Sequence, residues 1–139
     1  MKKLRVISTS LFLMALLAFV LFAFKPIMDL QETWVVPEKY VNMKNPVTLD
    51  DDVLDISTEL YSKHCKSCHG KTGLGDGSKA AELDSDCGDF STSEFQEQTD
   101  GTLFYKISFG RDDMPAFNKK IADEEELWMV VLYLRSMSE

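Results

Sequence analysis

Apolar residues recur at helical spacing in three segments of the chain, and no segment of comparable length alternates with the period of a strand. The first segment begins near residues 48–51 and runs to about residue 63. Val53, Ile56, Leu60 and Tyr61 share one face of it, and the acidic residues at its start suit a helix N-terminus. The second covers residues 101–109, with Leu103, Phe104 and Ile107 facing inward and Gly110 as its stop. In the third, Asp123 followed by Glu126 resembles a capping box, Leu127, Val130, Val131 and Leu134 repeat on one face, and Arg135 sits in the last turn. With neither an internal repeat nor a low-complexity tract, the pattern predicts an all-α domain with long loops over residues 50–139.

The first quarter of the chain follows a different rule. Lys2, Lys3 and Arg5 precede an apolar run over residues 11–24, which Lys25 closes, and no acidic residue interrupts the segment. The 14-residue run has the length of a signal-peptide hydrophobic region, but no small-x-small pair at its end invites cleavage. Extended back to Val6 it would form a helix about 28 Å long, close to the roughly 30 Å hydrocarbon core of a bilayer. Residues 1–25 are therefore expected to form an uncleaved hydrophobic helix that anchors the chain in the membrane, with a cleaved signal peptide and a soluble periplasmic product as the alternative. A core helix is disfavoured, since a segment apolar all round has no polar face to turn to water. Cations before the run place the N-terminus in the cytoplasm and the rest of the chain on the outer, periplasmic side. Residues 26–49 contain Pro26, Pro37 and Pro46 and show no sustained period, so they read as a linker or wrapping arm. Trp34, Val35, Val36 and Tyr40 favour an arm packed on the domain, because a solvated linker has no use for large apolar groups.

Composition narrows the function. A chain of 139 residues holds about one ordinary domain, and a unit this small often needs a cofactor, metal or disulfide to be secure. Three cysteines do not make a disulfide framework. The net charge is −8, and because the first 25 residues carry four cations and no acid, residues 26–139 carry −12. Such a field disfavours nucleic acid and anionic lipid and favours a partner with a basic docking face, with plain solubility as the alternative reading.

The chemistry lies in Cys65-Lys66-Ser67-Cys68-His69, directly after the first helix. Two thiols three positions apart can each add to one of the two vinyl groups of a haem, and the adjacent histidine is then held under the iron. The spacing followed by histidine is a specific attachment signal, far stronger than two cysteines alone. A zinc site would need His64 and Cys87 as further ligands, and His64 lies beside Cys65 where it cannot easily turn inward. A thioredoxin-like pair would require an alternating strand and helix fold. A sixth ligand for iron must come from another loop. Met114 is the candidate: it lies in Gly110-Arg111-Asp112-Asp113-Met114-Pro115-Ala116-Phe117, and Pro115 pushes it into extended backbone. Met28 and Met43 in the arm could compete, whereas Met129 and Met137 read as packing residues and His64 as a solvated helix-end histidine. Cys87 reads as a small buried apolar group or as an exposed thiol that pairs two chains.

Residues from about 50 to 139 resemble the class I monohaem c-type cytochromes, particularly the small bacterial membrane-associated or periplasmic ones. The resemblance rests on the attachment motif, the Gly70-Lys71-Thr72-Gly73-Leu74-Gly75-Asp76-Gly77 stretch, the Asp113-Met114-Pro115-Ala116-Phe117 loop and the final helix from Trp128 through Tyr133-Leu134-Arg135. It implies a cytochrome c-like bundle around one covalent haem c, with Cys65, Cys68, His69 and Met114 as the cofactor-binding residues and His69 and Met114 on the iron. It also implies that the first and last helices cross, bringing Tyr61 or Leu60 near Leu127, Val131 or Leu134. Ser57 stands where members often have glycine at that crossing. Ser78 follows Gly77 where a proline is common, in the loop that usually offers a backbone carbonyl to the axial histidine. The expected function is single-electron carriage in an extracytoplasmic chain, with no small-molecule substrate and no catalysed reaction. A haem-bearing subunit of a membrane respiratory complex is the alternative.

Overall fold

The computed structural model describes residues 33–138, so the hydrophobic helix expected over residues 1–25 lies outside the described residues. Residues from Val35 onward form one compact unit. Its elements are α1 (Glu38–Val41), α2 (Asp51–His64), α3 (Lys66–His69), a 3₁₀ turn (Ala80–Glu82), α4 (Ser93–Gln96), α5 (Asp100–Phe109) and α6 (Glu124–Arg135). Among the described residues the only extended pairing is an isolated bridge between Arg111 and Met114, and the fold is the expected all-α one. No described helix is long and apolar enough to cross a membrane.

The three long helices fall where the apolar spacing predicts them, and each starts on a side-chain cap. Asp50 accepts from Val53 N at 2.8 Å and Thr99 from Thr102 N at 3.2 Å. Asp123 accepts from the amide of Glu125 at 2.9 Å, so the cap closes one residue earlier than a capping box with Glu126 would place it. Gly110 ends α5 with a φ of 62°. The short helices α1, α3 and α4 are too brief to show a period, and they exist because tertiary contacts hold them.

Helices α2 and α6 form the most extensive helix pair. The face α2 turns inward is Val53, Ser57 and Tyr61, at spacings of four, and Ile56 is 40% exposed rather than inward as the spacing predicts. Ile56 sits about 100° around the helix from Ser57, so once the 53–57–61 row meets α6, its neighbour must face water. Ser57 is fully buried, and its hydroxyl donates to Leu54 O at 3.0 Å, which removes the penalty of burying an unpaired polar group. Tyr61 packs on Tyr133 with ring centroids 5.0 Å apart and shares the core with Leu127, Val131 and Leu134; Leu60 packs against that core from its edge. The ring of Phe104 on α5 stacks on Trp128 at 4.1 Å and joins the third long helix to the same core.

The arm packs on the domain through Tyr40, Met43 and Val47, while Val35 is exposed. Tyr40 lies 4.8 Å from the Tyr105 ring and 5.5 Å from Phe109. Thr99 donates to Val41 O at 2.8 Å, and Asn45 to Trp128 O at 3.0 Å. The approach requires Gly101, because a Cβ there would sit 1.8 Å from the Tyr40 carbonyl oxygen. At the opposite end of α6, the Arg135 guanidinium donates to Asp100 at 2.7 and 2.9 Å and to the carbonyl of Gln96 at 2.7 Å. That fork ties the last helix to the α4–α5 connection.

Candidate cofactor site

Helix α2 delivers the motif. Cys65 is its C-cap, and the chain turns at once into α3, which places Cys65, Cys68 and His69 on one continuous turn. Each backbone carbonyl of this turn has a donor. Cys65 O accepts from Cys68 N and His69 N, Lys66 O from Gly70 N, Ser67 O from Lys79 N, Cys68 O from Gly77 N and His69 O from Gly75 N, all between 2.8 and 3.1 Å. Gly70 O is held by the Tyr61 hydroxyl at 2.8 Å, a buried bond. The loop after the motif therefore folds back as a clamp, and Gly77 makes it possible: a Cβ at that position would lie 2.4 Å from Ser67 O. Burial drives the Tyr61 phenol well above its usual range, so it acts as a neutral donor.

His69 is half-buried, and its Nδ1 lies 2.8 Å from Cys87 O. A carbonyl can only accept, so Nδ1 carries the proton and Nε2 is left as the ring's lone-pair nitrogen. Burial lowers the His69 pKa and so favours the neutral imidazole a metal needs, while the same hydrogen bond partly counters the shift. The Phe90 ring lies 4.6 Å from the imidazole and is itself stacked on Phe95 at 4.5 Å. The Phe90 amide is in turn tied to Gly73 O at 2.7 Å. Both the ring's rotation and its tautomer are thus set by the 87–90 segment. The carbonyl comes from Cys87 and not from the loop just after Gly77. Burial pushes the Cys65 thiol up to about 12, with the nearby Cys68 adding to the effect, and burial raises Cys87 too.

Met114 lies on a separate loop, half-buried against the core. Its amide and carbonyl pair with those of Arg111 at 2.8 and 2.9 Å, closing a tight turn in which Asp112 has a φ of 51°. Downstream, Phe117 N donates to Ile107 O at 3.1 Å, and the Phe117 ring is buried in the core. Asp113 reaches the 84–85 segment through two backbone amides. Met43 packs against the core from the arm, and Met137 lies against Gly73. His64 meets Phe117 edge-on at 5.9 Å.

Among the described residues, no group of three or more His, Cys, Asp or Glu is arranged to hold a metal ion by itself. The donor set instead suits a ring-borne metal: two half-buried thiols on one turn, a neutral histidine with Nε2 unprotonated, and a thioether on a second anchored loop. Sequence reasoning singles out the side chains but not Tyr61 O–H, Phe90 or the carbonyl of Cys87 as parts of the site. Phe90 is legible, with Phe95, as one of two large aromatics in a polar stretch. A backbone carbonyl leaves no mark in a sequence.

The family model described as cytochrome C oxidase, cbb3-type, subunit III matches residues 53–134. A chain of the reducing HAO-like protein complex Kustc0457/Kustc0458 from Kuenenia stuttgartiensis is similar in fold, with a TM-score of 0.60 and 24% identity over 71% of this chain. This chain spans 49% of that one. The KustC0563 c-type cytochrome shares 28% identity over 60% of this chain and 98% of its own, with a TM-score of 0.52. No curated protein matches the sequence.

Proposed function

The chain belongs to the family described as cytochrome C oxidase, cbb3-type, subunit III, and is a monohaem c-type cytochrome with covalent haem c and its iron; from that membership we propose a single-electron carrier working outside the cytoplasm. Cys65 and Cys68 would supply the two thioether links, and His69 Nε2 and the Met114 sulfur would hold the iron. The haem iron, when bound, supplies a ferric–ferrous couple. The protein's residues hold and tune it. Tyr61 and the Gly75–Gly77 amides fix the turn that bears the thiols, and the Cys87 carbonyl and Phe90 fix the imidazole. A soft thioether would favour the ferrous state and raise the potential, and with His69 and Met114 both holding the iron no substrate would reach it.

The single observation that carries this reading is the His69 Nδ1 bond to Cys87 O on a turn bearing both thiols. It leaves the correct nitrogen for iron. The partners are redox proteins, and the −12 charge of residues 26–139 favours ones with a basic docking face. Residues 1–25 hold the haem domain at the outer side of the membrane.

A second reading, a haem-bearing subunit of a membrane complex, is favoured by the family's description as a subunit and by a neighbour that belongs to a two-protein complex. Recovery of stoichiometric partners in mild detergent would favour the subunit over the free shuttle. A pyridine haemochrome assay after acidified-solvent extraction tests attachment: haem stays with the protein, and leaves it in Cys65→Ala with Cys68→Ala. Met114→Ala tests the sixth ligand. The far-red thioether band should vanish, carbon monoxide should bind the ferrous form readily and the potential should fall, while Met129→Leu leaves the spectrum unchanged. An unaltered band in Met114→Ala would move the ligand elsewhere, with Met43 next in line.

A further inference from the structure

We propose that Asp113 is a positioning residue that fastens the Met114 loop to the segment orienting His69, so that one carboxylate ties the placement of Met114 to that of His69. This rests on reading Met114 as the sixth ligand. Asp113 Oδ2 accepts from the backbone amides of both Asp84 and Ser85, each at 3.0 Å and nearly 30 residues away in sequence. Two residues beyond Ser85, the carbonyl of Cys87 receives His69 Nδ1.

The segment between the 3₁₀ turn and α4 has no helix of its own, and few bonds hold it. Leu83 N returns to Ala80 O, and Gly88 N returns to Asp86 Oδ1; both are local. Among the described residues its hydrogen bonds to other parts of the fold are the Asp84 and Ser85 amides to Asp113, His69 Nδ1 to Cys87 O, Phe90 N to Gly73 O, and Gln96 Nε2 to Phe90 O, the same amide also reaching Leu134 O. Phe90 anchors the far end of this segment in the core, three residues after Cys87, and Asp113 anchors the near end, two residues before it, so without Asp113 the carbonyl that orients His69 would be held from one side only.

The Met114 side needs the same support. The Arg111–Met114 pair closes a turn but fixes only the residues inside it, and the next described backbone anchor is Phe117. Asp113 lies within that turn, next to Met114, and gives it a fixed point outside. Asp113 approaches a segment that already carries Asp84 and Asp86, and like charges brought together destabilise the fold. Two charge-assisted bonds to backbone amides offset that repulsion.

The test uses the haem-loaded protein and three readouts: hydrogen exchange of the Asp84 and Ser85 amides, the far-red thioether band and the midpoint potential. In the unaltered protein both amides should exchange more slowly than that of Asp86; equal rates would overturn the linkage even if no variant folds. In Asp113→Ala their exchange should speed by about three- to tenfold, as the loss of a modest exposed hydrogen bond predicts. The far-red band should weaken and the potential should fall in the same variant. Asp113→Asn keeps a carbonyl oxygen for both amides and should retain the band, and Asp112→Asn, which removes the same charge one residue away, should match the parent. Faster exchange in Asp113→Ala with band and potential unchanged would overturn the proposal, as would an Asp113→Asn indistinguishable from Asp113→Ala. A parent protein with no far-red band would instead sink the Met114 reading, and this proposal with it.

Discussion

His64 shows how a residue beside the attachment motif takes its properties from packing rather than from chemistry. Burial against Phe117 lowers its pKa, and Lys63 and Lys120 lower it further, with Glu126 opposing. A folded pKa below the unfolded 6.5 means that the unfolded chain binds more protons in that window. The contribution is therefore complete above pH 6.5 and is lost as pH falls through the folded value. An NMR titration of His64 should show a midpoint below 6.5, and Lys120→Gln should move it upward. No movement would mean that Lys120 is too well screened to act. At this scale the sequence is legible wherever a side chain suits one chemical role, as two thiols and a histidine at fixed spacing do, or a methionine before a proline. It is silent where the role falls to the backbone, as at Cys87, whose carbonyl matters to His69 while its thiol draws the attention.

Among the elements, the three long helices are legible because each spans enough turns for apolar spacing to repeat. The face of α2 is the exception. Periodicity counts Ile56 and discounts Ser57, yet Ser57 is fully buried and Ile56 is 40% exposed, because the hydroxyl's bond to Leu54 O makes serine an admissible crossing residue. Ile56→Ser should then change stability by no more than about 0.5 kcal/mol in a urea titration. Leu134→Ala, at the buried face of α6, should cost about 2–5 kcal/mol. A large loss from Ile56→Ser would restore the face that spacing alone suggests. The short helices α1 and α4 stay hidden in the sequence for a related reason: a single turn gains too few hydrogen bonds to repay its nucleation, and only contacts such as Tyr40 on Tyr105 keep it folded.

For the molecule as a whole, charge is distributed unevenly around the motif. Residues 60–81 carry Lys63, Lys66, Lys71 and Lys79 against Asp76 alone among the acids, inside a chain that is otherwise strongly acidic. Long-range encounter responds to the total field, and salt shortens its reach to about 8–10 Å at physiological strength. Electron exchange with hexaammineruthenium, a cation, should slow as salt is added, and exchange with ferricyanide should quicken. The reverse dependence would assign docking to the lysines of residues 60–81 and an acidic partner. Stopped-flow absorbance at several ionic strengths decides between them.

The saturated carbonyls of residues 65–70 bear on speed. A peptide dipole whose oxygen is already engaged has little freedom to swing when a charge appears beside it, and a dipole that does not swing adds nothing to the barrier. Had these oxygens faced only solvent, each oxidation and reduction would drag a rearranging shell of water and backbone with it. Around this turn an incoming electron meets surroundings that are already arranged, and it leaves them as it found them.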